Sequence, residues 1–158
     1  MGNEPSEGIP WTYDFTGVPA RTQKVVRRIQ DELFSARPSG LPGNDDAGSL
    51  SSWYVFSALG LYPAIPGVAG FALGSPAFPK ATIHLENGKT IQIVGEHAAP
   101  ENCYVQKVEL NGRPWNSPWV TWSALSAGGT IKFSLADTPS SWGEDASQKP
   151  PSFDRIQR

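Results

Sequence analysis

Residues 43–55 read GNDDAGSLSSWYV: Asn44, Asp45 and Asp46 follow one another between glycines and open directly into an apolar run. Side-chain oxygens in a row support two kinds of chemistry. A carboxylate beside a water can act as a general base. A cluster of amide and carboxylate oxygens, with glycines that let the backbone turn tightly, suits calcium, which takes about 6 to 8 oxygen ligands. The pattern is not an EF-hand loop, which needs alternating acids and a terminal Glu. One acid also has a plainer use. An Asp just ahead of a helix accepts hydrogen bonds from the free N–H groups and favours the positive end of the dipole. That explains one acid, not two plus Asn44. On residue type alone the cap is slightly the stronger reading, and an ion or catalytic role stays open beside it.

A second patch of the same kind, GNEPS at residues 2–6, sets Asn3 and Glu4 between Gly and Pro. Loop composition accounts for it, yet two Gly-Asn-acid patches are able to converge on one pocket. Trp11, Tyr13, Trp53 and Tyr54 lie around them in sequence. Acids, amides and aromatic walls together fit a carbohydrate pocket, because sugar rings stack on aromatic faces while carboxylates and amides bind hydroxyls. The same aromatics fit an ordinary core, and for Trp53 the core reading is the stronger. His84 on a hairpin and His97 in a loop form no paired motif, so zinc has no ligand set. Cys103 is the only cysteine, which excludes an intrachain disulfide, and its strand-like surroundings read as a buried, inert thiol.

The elements that must position these residues change character near Pro63. Before it the patterns are helical, and after it come short strands and turns, an α+β reading. Residues 1–18 read as loop. Pro19 suits a first helical turn, and Thr22, Val25, Val26, Ile29 and Leu33 recur on one face, with Arg27, Arg28, Gln30 and Asp31 largely opposite; this predicts an amphipathic helix over 19–35. A second helix is predicted over 47–61, apolar on almost every side and therefore buried on all sides. Nothing before residue 43 supplies enough helices to surround it.

From residue 64 the chain predicts antiparallel strands. In ATIHLENGKTIQIV a two-residue turn would pair His84 with Ile91 and mix the faces. A three-residue loop, Glu86-Asn87-Gly88, pairs Ile83 with Ile91 and His84 with Thr90, and puts Gly88 at the left-handed position. A similar turn falls at Asn111-Gly112, and VTWSAL and GTIKFSLAD complete the antiparallel set. The divisions are thus a helical segment over 1–63 that carries the site motifs, a β segment over 64–143, and a loose tail over 144–158.

The 158 residues are 39% hydrophobic and 11% aromatic, enough for a real core. A net charge of −2 without a basic stripe gives a nucleic-acid partner little support. No apolar run approaches the roughly 20 residues needed to span a bilayer, and the N-terminus lacks the regions of a signal peptide.

GNEPS (2–6), YDFTGVPARTQKVVRRI (13–29), GLPGNDDAGSLSSWYVFSALGLYPAIPG (40–67), GSPAFPKATIHLENGKTIQI (74–93) and VELNGRPW (108–115) together resemble the C-terminal part of glycoside hydrolase family 92, calcium-dependent exo-acting α-mannosidases. The resemblance covers residues 2–143. It implies the end of an (α/α)6 barrel, about two helices, followed by an antiparallel β-sheet or sandwich segment. It implies removal of terminal α-mannose from glycans with inversion, which needs an acid and a base about 6.5 to 9.5 Å apart with water between base and sugar. Calcium would bind the mannose 2- and 3-hydroxyls. Carried over, Asp46 and Asp45 are the catalytic candidates, with Asp46 favoured as base. Asn3, Glu4 and Trp53 are the substrate candidates, and Glu4, Asn44 and Asp45 the metal candidates.

Many members follow Gly-Asn-Glu-Pro-Ser with histidine; here Glu7-Gly8 stands there, which puts substrate contacts near residue 7 in doubt. The general acid of the family lies upstream of that segment. The chain is therefore expected to be inactive alone, with the acid, the remaining barrel and an N-terminal β-sandwich as its partners. Family habit places the parent enzyme outside the cell, in the periplasm or on the cell surface. The alternatives are a non-catalytic carbohydrate- or calcium-binding module and a structural remnant.

Overall fold

The computed structural model describes residues 2–152. Residues 2–18, expected as loop, are wound instead. Single 3-10 turns at Glu4–Ser6 and Ile9–Trp11 lead into a short helix, α1 (Thr12–Thr16). Pro5 and Pro10 sit in the first positions of these turns, where a missing N–H costs nothing. Proline density marked the turns correctly as breaks in long structure and hid the short structure inside them.

Helix α2 (Pro19–Leu33) ends close to its predicted limit, but its rotation differs from the expectation. The buried face carries Thr22, Gln23, Val26, Arg27 and Gln30. The reason is hydrogen bonding to the β part. Arg27 Nη1 donates to the Ala99 carbonyl at 3.1 Å and Nη2 to the Pro76 carbonyl at 3.0 Å. Gln23 Oε1 accepts from the Val105 N–H at 3.0 Å. Burying a charge is costly unless such partners exist. Val25 and Ile29, on the apolar stripe, instead line a shallow groove of about 190 Å³ with Ile9 and Tyr13.

Helix α3 (Ser49–Ala58) is shorter than predicted and is covered on one side only. Leu50, Trp53, Ser57 and Ala58 face inward, while Val55 is 58% exposed. Val55, Tyr54, Phe34 and Leu41 line an open groove of about 340 Å³. Burial on all sides does not hold within the described residues.

The β part forms two sheets. Strands β1 (Leu61–Tyr62), β2 (Gly70–Leu73) and β7 (Trp119–Thr121) make one, in the order β1-β2-β7. The other holds β3 (Lys80–His84), β4 (Thr90–Glu96), β5 (Tyr104–Leu110), β6 (Arg113–Pro114) and β8 (Gly129–Ala136), in the order β3-β4-β8-β5-β6. Ile83 faces Ile91 and His84 faces Thr90, and Gly88 has φ +76°, as the three-residue turn predicts. The all-antiparallel expectation fails at one pair. β4 and β8 run parallel, from Ile91 opposite Gly129 to Glu96 opposite Ser134. The VTWSAL stretch is strand only as far as Thr121. Its hydroxyl then accepts from the Ala124 N–H at 3.3 Å and caps a single turn, α4 (Trp122–Leu125).

Ile91, Ile93, Val108, Ile131 and Phe133 form the main core, each 2% exposed or less. Each such side chain contributes about 1.5–3 kcal/mol by leaving water. A second core, around Trp11, Val26 and Trp53, joins the helices to β2 and β7. The expected loose tail makes contacts in its described part. Ser117 Oγ donates to the Gln148 carbonyl at 2.6 Å, and Pro150 is buried. Residues 153–158 lie outside the described residues.

Asp14, on α1, is fully buried. Burial raises its carboxyl well above the usual range, opposed in part by the neighbouring Thr22 hydroxyl. Neither carboxyl oxygen reaches hydrogen-bond geometry with a partner among the described residues. A carboxyl whose folded pKa exceeds its unfolded one holds its proton more tightly in the native state. Its contribution to stability therefore declines as pH rises from the unfolded pKa towards the folded one. Asp14→Asn is expected to melt above the parent at pH 7, and the gap should narrow at pH 4. Equal melting differences at both pH values would count against this assignment.

Candidate active site

The two Gly-Asn-acid segments meet. A β-carbon placed on Gly43 would fall 2.2 Å from the Gly2 carbonyl oxygen and 2.9 Å from its Cα. Only a hydrogen fits at that crossing. Asn3, Glu4, Asn44 and Asp46 are all exposed beside it, and Asp45 is half-buried.

The adjacent acids divide their work. Asp45, three residues ahead of the N-cap residue Gly48, reaches over the start of α3: its Oδ1 accepts from the Ser51 N–H at 2.8 Å and its Oδ2 from the Ser51 hydroxyl at 2.9 Å. Its carbonyl also accepts from the N–H groups of Gly48 and Ser49, at 3.0 and 2.7 Å. Asp45 reaches this far because the chain coils left-handed over the next three residues, with φ of +40° at Asp46, +58° at Ala47 and +96° at Gly48. For Asp46 and Ala47 that conformation costs on the order of 1–3 kcal/mol each. Within the coil Asp46 is exposed, and Asn44 Nδ2 donates to its Oδ1.

Glu7 is the residue that sequence reasoning missed. Its Oε1 accepts from the Ser49 hydroxyl at 2.6 Å, and its carbonyl accepts from Trp53 Nε1 at 2.9 Å. The Tyr62 hydroxyl is pushed up to about 12, by burial first and then by the charge and hydrogen bond of Glu7. The available signal was an acid placed directly after the Gly-Asn-Glu-Pro-Ser turn. Trp53, a substrate candidate by resemblance, is a core residue here. It is 1% exposed, and its ring stacks on Phe34 with centroids 5.7 Å apart. It has no face open to a sugar.

The metal candidates fit calcium in donor type only. Glu4 and Asn44 offer hard oxygens, but both Asp45 carboxylate oxygens are engaged by Ser51. Among the described residues, no group of three or more His, Cys, Asp or Glu side chains is placed to hold a metal ion. These residues alone do not make a complete calcium site. Cys103 is buried, and desolvation pushes its thiol up, against the opposing charge of Arg27.

Residues 1–137 match the family profile described as the glycosyl hydrolase family 92 catalytic domain. The chain belongs to family 92. An uncharacterized secreted glycosidase of Arthroderma benhamiae is 34% identical over 156 residues, covering 97% of this chain and 20% of that protein. The fold is similar to that of a family 92 α-mannosidase from Bacteroides thetaiotaomicron solved in complex with mannoimidazole. The TM-score is 0.93 and the identity 31%, over 96% of this chain and 20% of that one. A family 92 inverting mannosidase from the same bacterium gives a TM-score of 0.92 at 35% identity, over 98% of this chain and 21% of that one. The chain thus spans about a fifth of the length of these relatives. No helix among the described residues is long and apolar enough to cross a membrane.

Proposed function

We propose that this family 92 chain supplies the general-base side of an exo-acting α-mannosidase site that works with inversion. The observation that carries the reading is the division between the two acids. Asp45 is tied to Ser51 in α3, while Asp46 stands exposed at the junction of two oxygen-rich loops. Asp46 accepts a proton from a water as that water attacks the anomeric carbon. A general acid on the opposite face of the sugar protonates the leaving oxygen. Asn44 holds Asp46 Oδ1 and leaves Oδ2 as the free proton acceptor. Asn3 and Glu4 bind sugar hydroxyls at the mouth of the site. The general acid comes from polypeptide outside these 158 residues. So do the helices that cover Val55 and the groove between α1 and α2, with α2 and α3 ending an (α/α)6 barrel.

The same reading includes calcium at this mouth, with Glu4 and Asn44 among its donors and the other ligands from outside the chain. The likeness to a mannoimidazole-bound α-mannosidase and to an inverting mannosidase supports mannose as the sugar and inversion as the outcome. The substrate is then a mannose-containing glycan, and the parent enzyme acts outside the cell, a reading that the fungal relative's description as secreted supports. The test is hydrolysis of an aryl α-mannoside by the polypeptide at its full natural length, followed by NMR. Initial release of β-mannose, abolished by a chelator and restored by calcium, is the expected result. Initial release of α-mannose would overturn inversion, turnover indifferent to the chelator would remove the metal, and absence of turnover would leave a binding module.

A further inference from the structure

Glu7 has no place in the proton transfers proposed above, yet it ties the first loop to α3. Its carboxylate takes the hydroxyl of Ser49, the first residue of α3, and its carbonyl takes the indole N–H of Trp53. Ser49 and Trp53 are four apart and so lie on one helical face. Glu7 therefore grips α3 at two points, one turn apart. The same carboxylate helps to push up the Tyr62 hydroxyl on β1, whose ring stacks on Trp11 at 5.1 Å. The Ser49 N–H in turn donates to the Asp45 and Asp46 carbonyls, at 2.7 and 3.4 Å. A continuous chain of hydrogen bonds thus leads from the Glu7 carboxylate through Ser49 to the backbone of Asp46.

We propose that Glu7 is a positioning residue: its carboxylate locks the left-handed coil at 46–48 against the 3–7 loop and so holds the Asp46 carboxylate in line for the water. This inference rests on the general-base role given to Asp46. A strained coil at two non-glycine residues persists only where its surroundings over-determine it. The bonds of Asp45 to Ser51 hold the coil from its N-terminal side, and Glu7 holds it from its C-terminal side. The amide of Glu7→Gln retains an oxygen acceptor for Ser49, so it preserves that bond without the charge.

The test uses the polypeptide at its full natural length. Glu7→Ala is expected to lower kcat about 100-fold with KM little changed, because misplacement of a reacting group by about an ångström costs that much. Glu7→Gln should restore most of the loss, and Ser49→Ala, which removes one hydroxyl, should reproduce it. Independently of activity, amide exchange over residues 43–52 should quicken in Glu7→Ala relative to β8 and return to the parent rate in Glu7→Gln. Unchanged exchange in that segment, or unchanged kcat in Ser49→Ala, would overturn the proposal. Glu7→Gln as slow as Glu7→Ala would overturn it too, since the charge itself would then be what matters. If Asp46→Asn retains full activity, the general-base reading fails, while the exchange comparison still decides whether Glu7 fixes the loop.

Discussion

Asp46→Asn is expected to lower kcat on an aryl α-mannoside by about 10²- to 10⁴-fold, the range for loss of a positioned general base, with melting temperature nearly unchanged. The amide retains the size of the carboxylate, and Asp46 is exposed, so no packing is lost. The neighbouring acid sets the contrast. Asp45→Ala removes both bonds to Ser51 and is expected to cost about 1 kcal/mol of stability, up to about 2, as caps do. Two adjacent acids should therefore separate cleanly, one in turnover and one in thermal melts. Stability lost in Asp46→Asn, with turnover retained, would reverse the assignment of the pair.

Gly43→Ala is expected to be the most damaging change that removes no functional group. Its methyl would overlap the Gly2 carbonyl at 2.2 Å, against backbone that has no flexible end to yield. The loops must then part by roughly an ångström, and a shift of that size costs kcat about 100-fold. Both loops are largely exposed, so the cost to stability stays small. Steady-state kinetics and a melt on the same preparation decide the matter, and a fully active Gly43→Ala would show that the site tolerates a wider gap.

What the sequence made legible was local. The β3–β4 register followed from turn chemistry together with alternation: a two-residue turn would mix the faces, whereas Glu86-Asn87-Gly88 places Ile83 opposite Ile91. That one of the two adjacent acids would serve the helix start was also readable; which of them does so was not, since both stood as catalytic candidates and Asp45 as a metal candidate. The rotation of α2 was not. Apolar spacing pointed to Val25 and Ile29, whereas the helix is set by carbonyls at Pro76 and Ala99 and by the N–H of Val105. Those partners lie far along the chain, beyond the reach of a periodicity argument. The parallel β4–β8 pair escaped for another reason: alternation with period two is the same whichever way a strand runs. At the site, residue types named Asp45 and Asp46, but Glu7 acquires its place only when the chain folds it against Ser49, Trp53 and Tyr62.

The strand order of the larger sheet bears on how the molecule behaves when crowded. Its borders are β3 and β6. β6 is two residues long and includes Pro114, which has no N–H to offer an incoming strand, while β3 opens with the exposed Lys80. Short edges carrying proline or lysine are poor templates for β-strand addition between copies. The most exposed large apolar side chains lie on the helical part, at Ile9 and Val55, with Phe78 next, just ahead of β3. Copies brought together would find more to hold at Ile9, Val55 and Phe78 than along the borders of the larger sheet, so contact between folded surfaces is favoured over strand-by-strand growth.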